Sequence, residues 1–146
     1  AAIREADVIL TVTSAVAPIG EPEHLRPGAV VCDVARPRNV SHRVTQQRHD
    51  VLIIEGGIVR PPGDCDFGFN FGFPPGTAYA CMAETMILAL EGRNECFTLG
   101  RDISLERVEE IAGLATRHGF RLAGFRSFER AVTDEEIARV RQTRRF

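Results

Sequence analysis

The chain has 146 residues, 44% hydrophobic and 26% charged, the composition of a folded domain large enough to bury a real core. A net charge of -2 excludes a basic field for nucleic acid, and the apolar runs fall far short of the ~20 residues that cross a bilayer. No signal peptide opens the sequence, and its four cysteines show neither zinc spacing nor disulfide density, so reduced thiols and a cytoplasmic location are expected.

There is no initiator Met, and residues 1–6 read as the tail of an interrupted helix, so a fragment of a longer protein is expected. Residues 8–13, 29–34 and 51–54 are short, β-branched apolar runs without in/out alternation, the pattern of strands buried on both faces of a parallel sheet. Residues 21–26 and 41–49 each suffice for a short crossover helix. Strand and helix alternating in this way predict an α/β fold, the second half of a Rossmann-type doubly wound parallel sheet.

Residues 58–76 break that rhythm with two Pro-Pro-Gly turns around four phenylalanines, Phe67, Phe69, Phe71 and Phe73. The alternation suits a β-arm or an ordered loop packing on a neighbour, and a homo-oligomer contact through this arm is one expectation. From residue 77 to 91 the spacing turns helical, with Gly92 as a stop. Ser104 is expected to cap a second helix with Leu105, Val108, Ile111, Ala112 and Ala115 on one stripe, ended by Gly119. Thr133 and Glu136 have capping-box spacing for a last helix. The expected division is 1–76, later strands of a nucleotide-binding domain with the aromatic arm, and 77–146, a helical part.

Chemistry is expected in two places. Ligands of open parallel sheets lie beyond the carboxyl ends of the strands. There stand Thr13 and Ser14, then Ala35 and Arg36, then Gly56 and Gly57. The hydroxyls suit a ribose, and the glycine pair suits close backbone approach to a flat ring. No G-x-G-x-x-G follows a strand, so a pyrophosphate site would belong to an upstream segment. The second place is Cys81, early in the 77–91 helix, where a helix N-terminus favours the thiolate nucleophile. Its residue pattern alone favours a buried structural thiol over a nucleophile. Glu84, one turn on, is a candidate acid/base or a solvated carboxylate. Cys32 is expected in the core, and His24, His42, His49 and His118, which lack metal spacing, at the surface or at caps.

The stretch Ala80-Cys81-Met82-Ala83-Glu84-Thr85-Met86-Ile87-Leu88, through Glu91-Gly92, resembles a helix of the long-chain acyl-[acyl carrier protein] reductases known from cyanobacteria. The similarity extends to Gly100-Arg101, Ile103-Ser104-Leu105-Glu106 and Arg117-His118-Gly119-Phe120, and upstream to Pro37-Arg38-Asn39-Val40 and Glu55-Gly56-Gly57-Ile58-Val59. It covers about residues 6–120, while residues 67–73 and the tail beyond 120 look unlike that family. The resemblance implies reduction of a fatty acyl thioester to an aldehyde with NADPH (NADH being the alternative cofactor). It further implies Cys81 as the acyl acceptor, and acyl carrier protein or acyl-CoA as the substrate carrier. A shorter stretch, residues 31–40, resembles the glutamyl-tRNA reductases, which share a strand layout with the shikimate dehydrogenases; that resemblance implies a structural Cys81. A non-covalent dehydrogenase of a small hydroxy or amino acid, and a non-catalytic scaffold, are the alternatives.

Overall fold

The computed structural model describes residues 2–69, 72–128 and 130–144. The chain forms two compact units, one from Ala1–Gly56 with Gly124–Phe146 and one from Gly57–Ala123.

In the first unit, β1 (Val8–Thr11), β2 (Val30–Asp33) and β3 (Leu52–Glu55) make a parallel sheet in that order. The register pairs Ile9 with Val31 and Val31 with Ile53, and it lines up Thr11, Asp33 and Glu55 at the carboxyl ends. Parallel neighbours need crossovers. The first is irregular, with a 3-10 turn at Pro22–His24 whose His24 Nδ1 accepts from Glu21 N at 3.3 Å. The second holds α1 (His42–Gln47), capped by Ser41, whose hydroxyl oxygen accepts from Arg43 N.

Ile9, Val31 and Ile53 form one cross-strand row, and Leu25, Ala29, Val40, Val44, Val51 and Phe128 pack against that face. Val8 and Leu10, on the opposite face of edge strand β1, are each 64% exposed. Burial on both faces, expected from the continuous apolar runs, is therefore not what β1 shows. The described residues supply a full cover for one of its faces only.

The second unit begins with β4 (Ile58–Arg60), which pairs antiparallel with β5 (Ala78–Tyr79) and with β6 (Arg121–Leu122). The aromatic segment between β4 and β5 is a loop of turns and bends rather than a β-arm, with Phe73 edge-on to Tyr79 at 5.2 Å. Asn70 and Phe71, part of the expected arm, lie outside the described residues.

Helix α2 (Ala80–Leu90) follows β5 directly. It starts three residues later than expected, because Ala78 and Tyr79 pair with Val59 and Ile58. Helix α3 (Leu105–Arg117) is capped by Ser104 as expected. Both helices end in a left-handed glycine, Gly92 at φ 65° and Gly119 at φ 82°. In each case the following amide reaches back to the fifth residue before it, Arg93 N to Leu88 O and Phe120 N to Ala115 O, the Schellman closure.

The core of this unit is Ala83, Ile87, Leu114 and Phe120, with Val59, Met86, Ile111 and Ala115 against it. The α3 stripe is thus centred on Leu114. Leu105 and Val108, expected on it, are 68% and 47% exposed.

The chain then returns to the first unit with the short antiparallel pair β7 (Arg126–Ser127) and β8 (Arg130–Ala131). Helix α4 (Asp134–Thr143) follows, opened by the Thr133/Glu136 capping box. No helix among the described residues is long and apolar enough to cross a membrane.

Candidate active site

The carboxyl end of the parallel sheet is organised by buried polar side chains. Asp33 is 1% exposed. Its Oδ1 accepts from Thr11 Oγ1 at 2.8 Å and Ala35 N at 3.1 Å, and its Oδ2 from Val40 N at 2.9 Å. Asn39 is fully buried. Its Oδ1 accepts from Thr13 N at 3.1 Å and Thr13 Oγ1 at 2.9 Å, and its main-chain oxygen accepts from Ile19 N and Gly20 N.

Glu55, with 1% of its side chain exposed, pairs with Arg38 Nε at 2.6 Å and Arg36 Nη2 at 3.5 Å. A buried carboxylate without such partners would be costly. Sequence reasoning missed Asp33, Asn39 and Glu55 as site-building residues. The available signal was an acid ending each of two apolar strands, Val-Val-Cys-Asp and Leu-Ile-Ile-Glu.

Thr13 and Ser14 are exposed beyond β1, and Thr13 Oγ1 also accepts from Ala15 N at 3.2 Å. Ala35 is buried. Arg36 donates to Ala35 O and to Glu55. Thr13, Ser14, Ala35, Arg36 and Gly56 therefore lie on the loops at one end of one sheet, whereas Gly57, Cys81 and Glu84 belong to the second unit.

Both glycines have a local structural reason. A Cβ on Gly56 would stand 2.6 Å from Val34 Cγ2 and 3.2 Å from Cys32 Sγ. Gly57 has φ 78°, a conformation that glycine adopts at little cost.

Cys81 is the second residue of α2 and is exposed. Tyr79, at the N-cap, gives the helix no side-chain cap, and Ala80 N donates to Gly57 O at 2.7 Å. The thiol thus sits in the first turn of α2. Glu84 accepts from Thr98 Oγ1 at 2.5 Å and, with Leu88, Phe97 and Thr98, lines a cleft of about 370 Å³ that Cys81 does not line. A second cleft of about 260 Å³ is lined by Phe67, Phe69, Phe73, Pro74, Pro75 and Thr77.

Cys32 is half-buried rather than in the core, and burial together with the Asp33 carboxylate pushes its thiol up. Among the described residues no three His, Cys, Asp or Glu side chains group to hold a metal.

No protein-family model matches the chain. Over 125 residues it is 36% identical to aminotransferase PigE of a Serratia species, an alignment covering 84% of this chain and 14% of that protein. Over 128 residues it is 34% identical to the long-chain acyl-[acyl-carrier-protein] reductase of Synechococcus elongatus, covering 82% of this chain and 36% of that enzyme. The resemblance read from the α2 sequence is thus matched across most of the chain, while the chain spans well under half of either relative.

Proposed function

We propose that this chain is part of a nicotinamide-dependent oxidoreductase that reduces a long-chain fatty acyl thioester to a fatty aldehyde through an acyl group carried on Cys81. The observation that carries the proposal is an exposed thiol in the first turn of α2, in a chain similar over most of its length to a reductase of acyl-[acyl-carrier-protein]. In chain order, residues 1–76 supply the later strands of a Rossmann-type NAD(P)-binding domain and its aromatic loop, and residues 77–146 the helical part. NADPH is the proposed cofactor, with NADH the alternative. The carrier is acyl carrier protein or coenzyme A.

Cys81 Sγ attacks the thioester carbonyl carbon. A new C–S bond forms as the Cys81 thiol proton passes to Glu84; the bond from the acyl carbon to the carrier sulfur breaks, and the departing carrier thiolate takes that proton. Main-chain N–H groups of the first turn of α2 bear on the carbonyl oxygen while it carries negative charge. Glu84 Oε2, held by Thr98, is the proposed proton-exchanging group for the departing thiol. The aromatic cleft offers the acyl chain an apolar wall, tied to the start of α2 through the Phe73–Tyr79 contact.

The exposed Thr13 and Ser14, beyond a parallel strand, fit the ribose side of a nicotinamide, with Ala35, Arg36, Gly56 and Gly57 on the neighbouring turns. When bound, the nicotinamide supplies a hydride to the acyl carbon. Cys81 then leaves as the carbonyl re-forms, its C–S bond breaking with the electron pair returned to Sγ.

Intact mass of the natural full-length protein, incubated with a long-chain acyl thioester and no nicotinamide, tests this. The expected result is an acyl-sized increase that hydroxylamine removes and that Cys81→Ala lacks. A wild-type protein that binds nucleotide but takes no acyl group would overturn the covalent mechanism and favour a non-covalent dehydrogenase.

A further inference from the structure

We infer that Asn39 is a positioning residue for the cofactor side of the site, holding Thr13 in place from beneath; this rests on the nucleotide assignment proposed above. Asn39 pins both ends of the loop that follows β1. Its side-chain oxygen takes the amide and the hydroxyl of Thr13, at 3.1 and 2.9 Å, and its main-chain oxygen takes the amides of Ile19 and Gly20, at 2.8 and 2.9 Å. A main-chain N–H can only donate, so the bond from Thr13 N fixes which amide atom is the oxygen.

Asn39 Nδ2 is buried and has no partner among the described residues. A side chain selected only for packing would not carry a buried donor without an acceptor. An aspartate would provide the same acceptor without that donor. It would also put a second carboxylate one residue from the Val40 amide that Asp33 already holds, where two like charges oppose one another. Asn39 supplies that acceptor without adding a charge.

Asn39 does not itself meet the cofactor, since it is fully buried. It acts through Thr13, which is exposed at the strand end. The main-chain bonds to Ile19 and Gly20 survive any change of side chain. Truncating Asn39 therefore releases the Thr13 end of the loop and leaves the other end tied.

The test compares wild-type full-length protein with Asn39→Ala and Asn39→Ser, after thermal melts have established that the variants fold. Two quantities are read alongside amide hydrogen exchange. One is the NADPH dissociation constant by fluorescence titration. The other is the rate of Cys81 acylation by an acyl thioester without nucleotide. The expected result is a rise of about 10- to 100-fold in the NADPH constant with acylation at the wild-type rate, and faster hydrogen exchange at Thr13 with β2 and β3 unchanged. Wild-type NADPH affinity in a folded variant would overturn the inference. So would acylation falling in parallel with affinity, or failure of both variants to fold, since either makes Asn39 a general structural residue. A wild-type protein that accepts the acyl group but binds no nucleotide would overturn the cofactor assignment itself, and this inference with it.

Discussion

Replacing Gly56 by alanine adds a methyl carbon 2.6 Å from Val34 Cγ2 and 3.2 Å from Cys32 Sγ. Carbon atoms in good contact stand ~3.5–4.0 Å apart, so the overlap with Val34 is about 1 Å. Gly56 does not have positive φ, so alanine meets no backbone strain and the cost is steric. Val34 is β-branched and stiff at χ1, but at 38% exposure it has room to turn. Overpacking costs ~1–3 kcal/mol, and the lost freedom of the unfolded chain returns ~0.4–1 kcal/mol. A net loss of about 0.5–2 kcal/mol is expected, a fall in Tm of roughly 2–6 °C. Thermal and urea unfolding of Gly56→Ala, Val34→Ala and the double variant form a cycle. The double variant is expected to be no less stable than Val34→Ala alone. Equal destabilisation by Gly56→Ala in both backgrounds would refute the steric account. Nucleotide titration of the same double variant separates the two reasons for a glycine. Affinity equal to that of Val34→Ala assigns Gly56 to packing, and lost affinity assigns it to close approach of the cofactor.

Asp33→Ala removes the acceptor for Thr11 Oγ1, Ala35 N and Val40 N. Two of these donors, Ala35 N and Val40 N, are buried; at ~1–3 kcal/mol for each left unpaired, a loss of at least about 2 kcal/mol is expected in urea unfolding, and a loss under ~1 kcal/mol would show that they find water. Glu136 makes a bidentate pair with Arg130, at 2.5 and 2.9 Å, which holds its carboxyl down at about 2 from 4.5. The folded value is the depressed one, so this stabilisation is fully present above pH 4.5 and is lost as the pH falls toward 2. Glu136→Gln keeps the capping-box geometry and is expected to cost under ~1 kcal/mol at neutral pH. In acid titrations followed by circular dichroism, the gap between wild type and variant should close across that window; a constant gap would place the effect elsewhere.

The parallel strands were legible because β-branched runs bounded by Asp, Pro and Gly leave few alternatives, and all three fall within a residue or two of their expected places. The helix ends were legible for a local reason. Ser104, Thr133, Gly92 and Gly119 act through bonds to residues at most five positions away. What stayed hidden depends on distant partners. The start of α2 slipped from Thr77 to Ala80 because β4 claims Ala78 and Tyr79, and strands of two or three residues such as β5 and β6 leave no periodicity to read. Asp33, inside an expected strand, and Asn39 and Glu55, beyond the ends of two of them, stayed hidden because nothing in a linear sequence says that their side chains point inward. Cys81 was legible as a first-turn thiol only through the α2 pattern as a whole.

The second unit is continuous in sequence, whereas the first is built from two pieces separated by residues 57–123. Within the second unit, the entering and leaving strands β4 and β6 are hydrogen-bonded neighbours, with Val59 opposite Leu122 and Arg60 opposite Arg121. During synthesis this unit has all its parts as soon as residue 123 has emerged. The older piece must wait. Until residues 124–146 are made, its sheet lacks Phe128 against the Ile9–Val31–Ile53 face. Residues 57–123 are thus complete in the nascent chain while the first unit, its face already covered by Leu25, Val40 and Val44, still lacks the contribution of Phe128.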